Sequence, residues 1–365
     1  MWPTVCRRSV VTARVSKLAQ RDLNEVVEHT RHVWDDYRGA RIFITGVTGF
    51  VGSWLLETIV HAERTLNLGI KVTALVRDRT AFAKRLPHLA ASPVVRPHVG
   101  DVRIVDPPTH AFTHFVNCAS AATPRMNAAH PEEVLDIIEH GSKRMIEEAE
   151  SGKRARFLQI SSGSVYGPQP ATFKTIPESY TGTADRNVMN QRFGSENREA
   201  ERRGEAATAK GVGFVSARLF GIVGPRLPLD GQFAIGNFLG DALAGRTIEM
   251  SSDGTAVRSW LYAADMAAWC WTLLARGRAG AAYNVGSEEA MTVLNAAERV
   301  AGLVVPPVEV RRGREGDPAA APSRYVPSTA LARSELGLEA WTGFDNGLRR
   351  TWDWLRTNNI ATPAA

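Results

Sequence analysis

The stretch Arg41–Trp54, RIFITGVTGFVGSW, constrains this chain more than any other, because an apolar run breaks into three glycines and then resumes as an amphipathic segment. The pattern predicts a strand, a tight loop and a helix. Gly46, Gly49 and Gly52 fall in a G-x-x-G-x-x-G spacing in which each glycine has its own steric task. Gly46 permits the turn, Gly49 lets backbone approach a pyrophosphate, and Gly52 lets the helix pack on the strand. The helix from Val51 to Ile59 then points its leading N–H groups and positive dipole end at an anion above the loop. Thr48, Phe50 and Val51 belong to the same cradle.

Beyond this loop, strand-like runs at Lys71–Val76, Val94–His98, Phe112–Asn117, Phe157–Ser161 and Gly213–Leu219 alternate with helical stretches, chiefly Pro131–Ser151 and Phe193–Gly211. Alternation at this spacing predicts an α/β fold with a doubly wound, Rossmann-like parallel sheet whose ligands sit at the carboxyl ends of its strands. The second strand ends in Val76-Arg77-Asp78, where such folds read the adenosine ribose; Arg77 coming first favours the extra phosphate of NADP, against a solvated strand-end charge. Asp101 and Val102 follow the third strand, placed to meet an adenine edge. After Gly224 the pattern loosens into segments punctuated by Pro and Gly, with a helix near Phe233–Ala244, a strand at Thr247–Met250 and a helix from Ala263. We expect a smaller C-terminal lobe that closes over the strand ends. Val304–Ser323 reads as a loop or lid, and Ser328–Leu336 and Phe344–Leu355 as terminal helices. The expected organisation is an N-terminal extension and helix over 1–40, a dinucleotide-binding core over 41–220, and a mainly substrate-binding lobe over 221–365.

Composition excludes several function classes. The net charge of +6 is spread through the chain rather than gathered in a basic tract, which suits an anionic small molecule and argues against nucleic acid. No apolar run reaches membrane length, so a soluble, cytoplasmic protein is expected. Cys6, Cys118 and Cys270 are too few and too scattered for a disulfide framework or a cysteine zinc site. The first twenty residues are basic and lack acids, but without a signal-type apolar core they read as a floppy start. A helix is expected over Asp22–Tyr37.

With these residues in view, the chain resembles the extended short-chain dehydrogenase/reductase family in its nucleotide-sugar epimerase and dehydratase branch. TGVTGFVGS resembles the cofactor loop and Gly100-Asp101-Val102 the adenine contact. Ile160–Gly167, ISSGSVYG, resembles the strand and turn with the catalytic serine or threonine, and Ala217–Arg226 the sugar-nucleotide loop. Asp253–Asp265 resembles the segment whose Arg grips the substrate diphosphate, and Tyr283–Gly286 a late strand. The resemblance implies cofactor contacts at Gly46, Thr48, Gly49, Phe50, Val51, Gly52, Arg77, Asp101, Val102, Cys118 and Ala119. It implies a sugar-binding hydroxyl at Ser162, a diphosphate clamp at Arg258, and substrate contacts at Arg218, Arg226, Asn237 and Tyr262. The implied partners are a nucleoside-diphosphate sugar and a second copy of the chain, docked through Pro131–Ser151 and Phe193–Gly211.

The resemblance breaks where the family's redox chemistry resides. The family carries Tyr-x-x-x-Lys inside a Tyr-Gly-x-x-Lys-x-x-x-Glu phrase, and this chain has Phe193-Gly194 and Asn197 ahead of Glu201. A phenol with a neighbouring ammonium accepts the sugar's hydroxyl proton; Phe193 has no proton to exchange and Asn197 no charge. Tyr166 and Tyr180 restore no pair, since Pro170 and Ala184 stand four residues on. Dehydratases carry Thr-Asp-Glu where this chain has Ser162-Gly163-Ser164, so a 4,6-dehydratase is disfavoured: Gly163 is inert and Ser164 is a poor acid or base. Three readings follow. The first is a non-redox isomerase, of the type that interconverts pyranose and furanose forms of a nucleotide sugar, with Mg or Mn on the diphosphate and NAD(P) structural or absent. No metal-ligand cluster can be named. The second is an NAD(P)-dependent epimerase or reductase with a substitute base such as Tyr166, and the third is a non-catalytic dinucleotide sensor.

Overall fold

The computed structural model describes residues 16–108, 112–119, 130–151, 154–188, 191–231, 233–313 and 322–359. The expectations for the first fifteen residues, including Cys6, lie outside these, as do residues 314–321 within the expected lid. In chain order the elements are α1 (Gln20–His29), β1 (Arg41–Ile44), α2 (Phe50–Leu66), β2 (Lys71–Val76), α3 (Arg79–Arg85), α4 (Pro87–Ala90), β3 (Val95–Val99), β4 (His114–Asn117), α5 (Pro131–Ser151), β5 (Arg156–Ser162), α6 (Arg192–Ala207), β6 (Gly213–Leu219), β7 (Gly221–Val223), α7 (Ala234–Leu243), β8 (Ile248–Glu249), β9 (Val257–Arg258), β10 (Trp260–Tyr262), α8 (Ala263–Arg276), β11 (Ala282–Val285), β12 (Met291–Thr292), α9 (Val293–Ala301), β13 (Val310–Arg311), β14 (Arg324–Tyr325), α10 (Ala330–Leu336) and α11 (Phe344–Thr357).

Seven strands form one sheet in the order β11-β6-β5-β4-β1-β2-β3, every neighbouring pair parallel. The order reverses between β1 and β4, which opens a crevice beside the glycine loop. The central strands are buried on both faces, as a parallel sheet covered by helices requires. One face carries Trp54, Leu55 and Ile59 of α2 with Met266, Trp269 and Trp271 of α8. The other carries Ile137, Met145 and Ile146 of α5 with Phe157 and Phe214. A second apolar cluster, with Phe238, Leu239, Ile248, Trp260, Ala297, Phe344 and Trp352, forms the core of the C-terminal lobe.

The N-terminal helix is shorter than its periodicity suggests. Thr30 turns its hydroxyl back onto the Val26 carbonyl at 2.5 Å, and the chain continues as a 3-10 turn over Arg31–Tyr37. Threonine back-bonding of this kind ends or bends helices. Leu23, Val26, Val33, Trp34 and Tyr37 are buried in the same core as the sheet, so the segment packs as an integral layer. No helix of the described residues is long and apolar enough to cross a membrane.

Candidate active site

The glycine loop joins β1 to α2 at the sheet's carboxyl edge. Gly46 has φ +67°, and a Cβ there would meet the Cys118 carbonyl oxygen at 2.5 Å; one on Gly52 would meet the Gly46 oxygen at 2.2 Å. These two glycines are therefore fixed by close approach of backbone to backbone, while a Cβ on Gly49 would lie at a tight but less severe 3.3 Å from Gly46 oxygen. Thr45 locks the floor: its hydroxyl donates to Asn117 Oδ1 at 2.6 Å and accepts from the Cys118 and Ala119 N–H groups at 3.2 and 3.1 Å. No side chain among the described residues caps α2, so the leading N–H groups of a seventeen-residue helix face the crevice. This cradle suits the pyrophosphate of a dinucleotide.

At the ribose position Asp78 is engaged as the N-cap of α3, accepting from Ala81 N at 2.9 Å, whereas Arg77 is exposed. The Asp101 carboxylate is gripped by Arg103 at 2.5 Å, which also reaches Asp136 at 2.5 Å. Those hydrogen bonds hold the Asp101 carboxyl below its ordinary range. Val102 is buried under α5, where a Cβ on Gly141 would come within 2.9 Å of it. Cys118 is half-buried and Cys270 buried, both as free thiols, and burial raises both above the ordinary thiol range.

At the other end of the crevice β5 ends in Ser162 and turns through Gly163–Tyr166. The Ser162 hydroxyl accepts from Ser164 N at 3.2 Å and faces the Tyr325 hydroxyl; the Ser164 Oγ is buried with no partner among the described residues. Tyr166 does not provide the substitute base. Its ring is fully buried, and its hydroxyl is used on both sides, donating to Asn284 Oδ1 at 2.8 Å and accepting from Arg218 at 2.8 Å. Arg218 likewise turns away from substrate: it forks onto Glu201 at 2.7 to 3.2 Å, and Glu201 takes a further bond from Ser161 at 2.6 Å. Arg218 lines a separate open cleft of about 710 Å³ bordered by α6, β11 and α10.

The register of α6 is set by Gly194, where a Cβ would stand 2.1 Å from the Ser164 carbonyl oxygen. Only a glycine lets the helix approach that turn so closely. Phe193 and Asn197 therefore lie next to the serine turn as the sequence phrase suggests. Asn197 is 1% exposed and donates its amide to the Phe193 carbonyl at 2.8 Å, so its polar group is used within its own helix.

Of the five expected substrate contacts, Arg258 alone keeps a charge without a carboxylate partner among the described residues. It is half-buried and donates to the Val257 and Ser323 carbonyls at 2.8 and 3.1 Å and to the Ser323 hydroxyl at 3.3 Å. Arg226 is withdrawn into an ion pair with Glu57, the two side chains 3% and 6% exposed, and also bonds the Ser16 carbonyl at 2.8 Å. Burial pushes the Glu57 carboxyl up, but the His88 bond and the Arg226 charge together hold it below its ordinary range. Tyr262 is 1% exposed with its hydroxyl on Asp22 at 2.8 Å. Asn237 closes its own loop, bonding Gly231 N at 3.0 Å and Gly231 O at 2.7 Å. These three side chains are committed to the protein itself.

Tyr325 is the residue that the sequence reading missed. It lies between the expected lid and the next helix, on β14, and pairs in register with Arg258 of β9. The only sequence signal is an isolated aromatic in the Pro-flanked SRYVPS. No group of three or more His, Cys, Asp or Glu side chains among the described residues is placed to hold a metal.

The sheet order, the glycine loop and the serine turn define a Rossmann-like α/β protein with a crevice at the carboxyl edge of its sheet. The chain belongs to the NAD dependent epimerase/dehydratase family, whose model matches residues 42–286. It is similar to UDP-glucuronic acid decarboxylase 6 of Arabidopsis thaliana, 26% identical over 84% of this chain and 86% of that one. It is similar also to a dTDP-glucose 4,6-dehydratase of Streptomyces niveus, 25% identical over 87% and 93%. Among solved structures, an epimerase of Methanothermobacter thermautotrophicus matches at TM-score 0.74 and 20% identity, covering 92% of this chain and 96% of that one. A UDP-glucose 4-epimerase of Thermotoga maritima, solved with UDP-glucose, matches at 0.71 and 18% identity, covering 87% and 99%. At these identities the structural matches establish the fold.

Proposed function

We propose that this chain is an enzyme that isomerises the sugar of a nucleoside-diphosphate hexose without net redox change, with NAD(P) held over the glycine loop. The observation that carries this reading is the pairing of Arg258 with Tyr325. A guanidinium with no carboxylate partner among the described residues stands in register with a phenol that lies beside Ser162, so an anion grip adjoins a pair of hydroxyls. A diphosphate on Arg258 would set its sugar toward Ser162, because a guanidinium meets phosphate oxygens bidentately and cannot lose its charge. Ser162, with its oxygen fixed by Ser164 N, orients a sugar hydroxyl. Nicotinamide, when bound, supplies a reversible hydride acceptor. The names of the relatives support a sugar-nucleotide substrate, and Arg77 favours the phosphorylated dinucleotide. Assembly as a cytoplasmic homodimer through α5 and α6 is part of the same reading.

A second reading, ring isomerisation with no hydride and a divalent cation on the diphosphate, is favoured by Phe193 and Asn197, which offer neither an exchangeable proton nor a charge. Incubation of the purified protein with UDP-, dTDP- and GDP-hexoses, with and without NAD(P)⁺ and Mn²⁺, separates the two by product mass and ring form. An equal-mass epimer formed only with nicotinamide supports the first. An equal-mass ring isomer formed without it and lost on chelation supports the second. Tight dinucleotide binding with no turnover of any hexose overturns both in favour of a sensor.

A further inference from the structure

We propose that Tyr325 is a catalytic residue, the group that exchanges a proton with the sugar hydroxyl held by Ser162. The proposal rests on the reading above that a nucleotide sugar occupies this crevice, and holds for either of its two chemistries.

The chain has six tyrosines. Four give their hydroxyl protons to the protein: Tyr37 to the Trp271 carbonyl at 2.5 Å, Tyr166 to Asn284 at 2.8 Å, Tyr262 to Asp22 at 2.8 Å and Tyr283 to Glu335 at 2.5 Å. Tyr180 stacks on Tyr166 with ring centroids 6.1 Å apart. Tyr325 turns its hydroxyl to the serine turn beside Ser162. The Ser162 oxygen accepts from Ser164 N, and the Tyr325 hydroxyl stands beside it at the serine turn, 2.6 Å from where a Cβ on Gly163 would lie.

The position is built rather than incidental. A Cβ on Gly163 would lie 2.6 Å from the Tyr325 hydroxyl and 2.6 Å from the Phe220 ring, so the missing side chain at 163 is what admits the phenol. The Tyr325 ring lies on Phe220 with centroids 4.5 Å apart. Its backbone is fixed on one side by pairing with Arg258 and on the other by Val326, whose N–H bonds Gln169 at 3.0 Å and whose carbonyl takes Ile176 N at 2.9 Å. A phenol whose ring and backbone are both held can place its oxygen within the small tolerance proton transfer requires.

The step balances without a co-reactant. The sugar O–H bond breaks, its proton forms the O–H bond of the deprotonated Tyr325, and the electron pair stays on the sugar oxygen; reversal returns the proton. The groups facing this phenol are Ser162, Arg258 and Tyr166. Burial pushes its pKa up to about 12, while the Ser162 bond and the Arg258 charge oppose that rise. At neutral pH the accepting form is scarce. Turnover should therefore climb close to tenfold per pH unit between about pH 7 and 10, as a general base well below its pKa does.

The experiment compares wild type, Y325F and Y180F on whichever of UDP-glucose, dTDP-glucose and GDP-mannose turns over. Y325F is expected to lower kcat by roughly 10²- to 10⁴-fold with little change in KM, and to abolish the pH slope. Y180F is expected to keep both. A Y325F enzyme with the wild-type slope and kcat overturns the assignment. Independently of turnover, protein labelled with 3-fluorotyrosine gives a ¹⁹F resonance for Tyr325, assigned by its loss in Y325F. That resonance should move further with UDP-glucose than with UDP. If calorimetry shows the sugar nucleotide bound while the resonance matches that with UDP alone, the role of Tyr325 fails and the substrate class stands. If no sugar nucleotide binds, the substrate class fails and this role with it.

Discussion

Replacing Glu201 with leucine tests whether the network behind the serine turn is an ion pair in the low-dielectric interior. Glu201 and Arg218 are 9% and 12% exposed at their side chains, with the closest N–O distance 2.7 Å. Glu201 also takes the Ser161 proton at 2.6 Å. E201L strands the guanidinium against the Tyr166 oxygen alone, and removing one partner of a buried pair costs about 3–5 kcal/mol. With about 2.1 cal/mol/K of unfolding entropy per residue over this length, each kcal/mol lowers Tm by about 1.3 °C. The expected fall is about 4–7 °C by differential scanning calorimetry. The double variant E201L/R218M removes both charges, and replacement of a buried pair by apolar groups is close to neutral, so it should recover most of that loss. An E201L melting point within about 1 °C of wild type, or a double variant no more stable than E201L, would refute the reasoning.

Three further outcomes follow from the same geometry. R258M should weaken UDP binding about 10- to 150-fold by calorimetry, the worth of a hydrogen bond to a charged group. Its Tm should hold, since no carboxylate partner among the described residues is left behind. Asp265 is buried in the first turn of α8 beneath Thr342, and burial pushes its pKa up to about 7. Because that value lies above the unfolded one near about 3.9, its stabilising contribution is complete below pH 4 and lost as pH rises toward 7. D265N should therefore flatten the dependence of Tm on pH across that window, and an unchanged slope would assign it to other groups. The double variant F193Y/N197K should raise NAD(P)⁺-dependent turnover of a nucleotide hexose at least about tenfold, the lower range for a restored acid–base group being 10². A folded double variant with no gain would count against the register that Gly194 sets.

What the sequence made legible is local. Lys71–Val76, Gly213–Leu219 and Pro131–Ser151 appear with the boundaries read from periodicity, because the apolar runs and their flanking breakers lie within the element itself. The glycine spacing is equally self-contained, since the Cβ that Gly52 excludes would strike Gly46 in the same loop. Arg226 and Tyr262 show where that legibility ends. A motif fixes a residue's place along the chain, whereas the direction of its side chain depends on partners 169 and 240 positions away, Glu57 and Asp22. Both partners are acids on helices that look like ordinary amphipathic surfaces in sequence, and each is buried once its helix docks.

The same reasoning explains why the serine turn was readable and its tyrosine was not. In sequence Gly163 reads only as a missing acid. In three dimensions it is the vacancy that Phe220 and Tyr325 fill from two later segments, and any side chain there would expel the phenol. Gly194 sets α6 against the serine turn from one side, and Gly163 admits a hydroxyl from the other. Restoring a side chain at 163 should then act through Tyr325: G163A in a Y325F background should cost less stability than G163A alone, since the phenol oxygen it meets at 2.6 Å is gone, although the Phe220 contact remains. Equal costs in the two backgrounds, measured by Tm, would show that the glycine serves the Phe220 ring and leave the phenol without its built position.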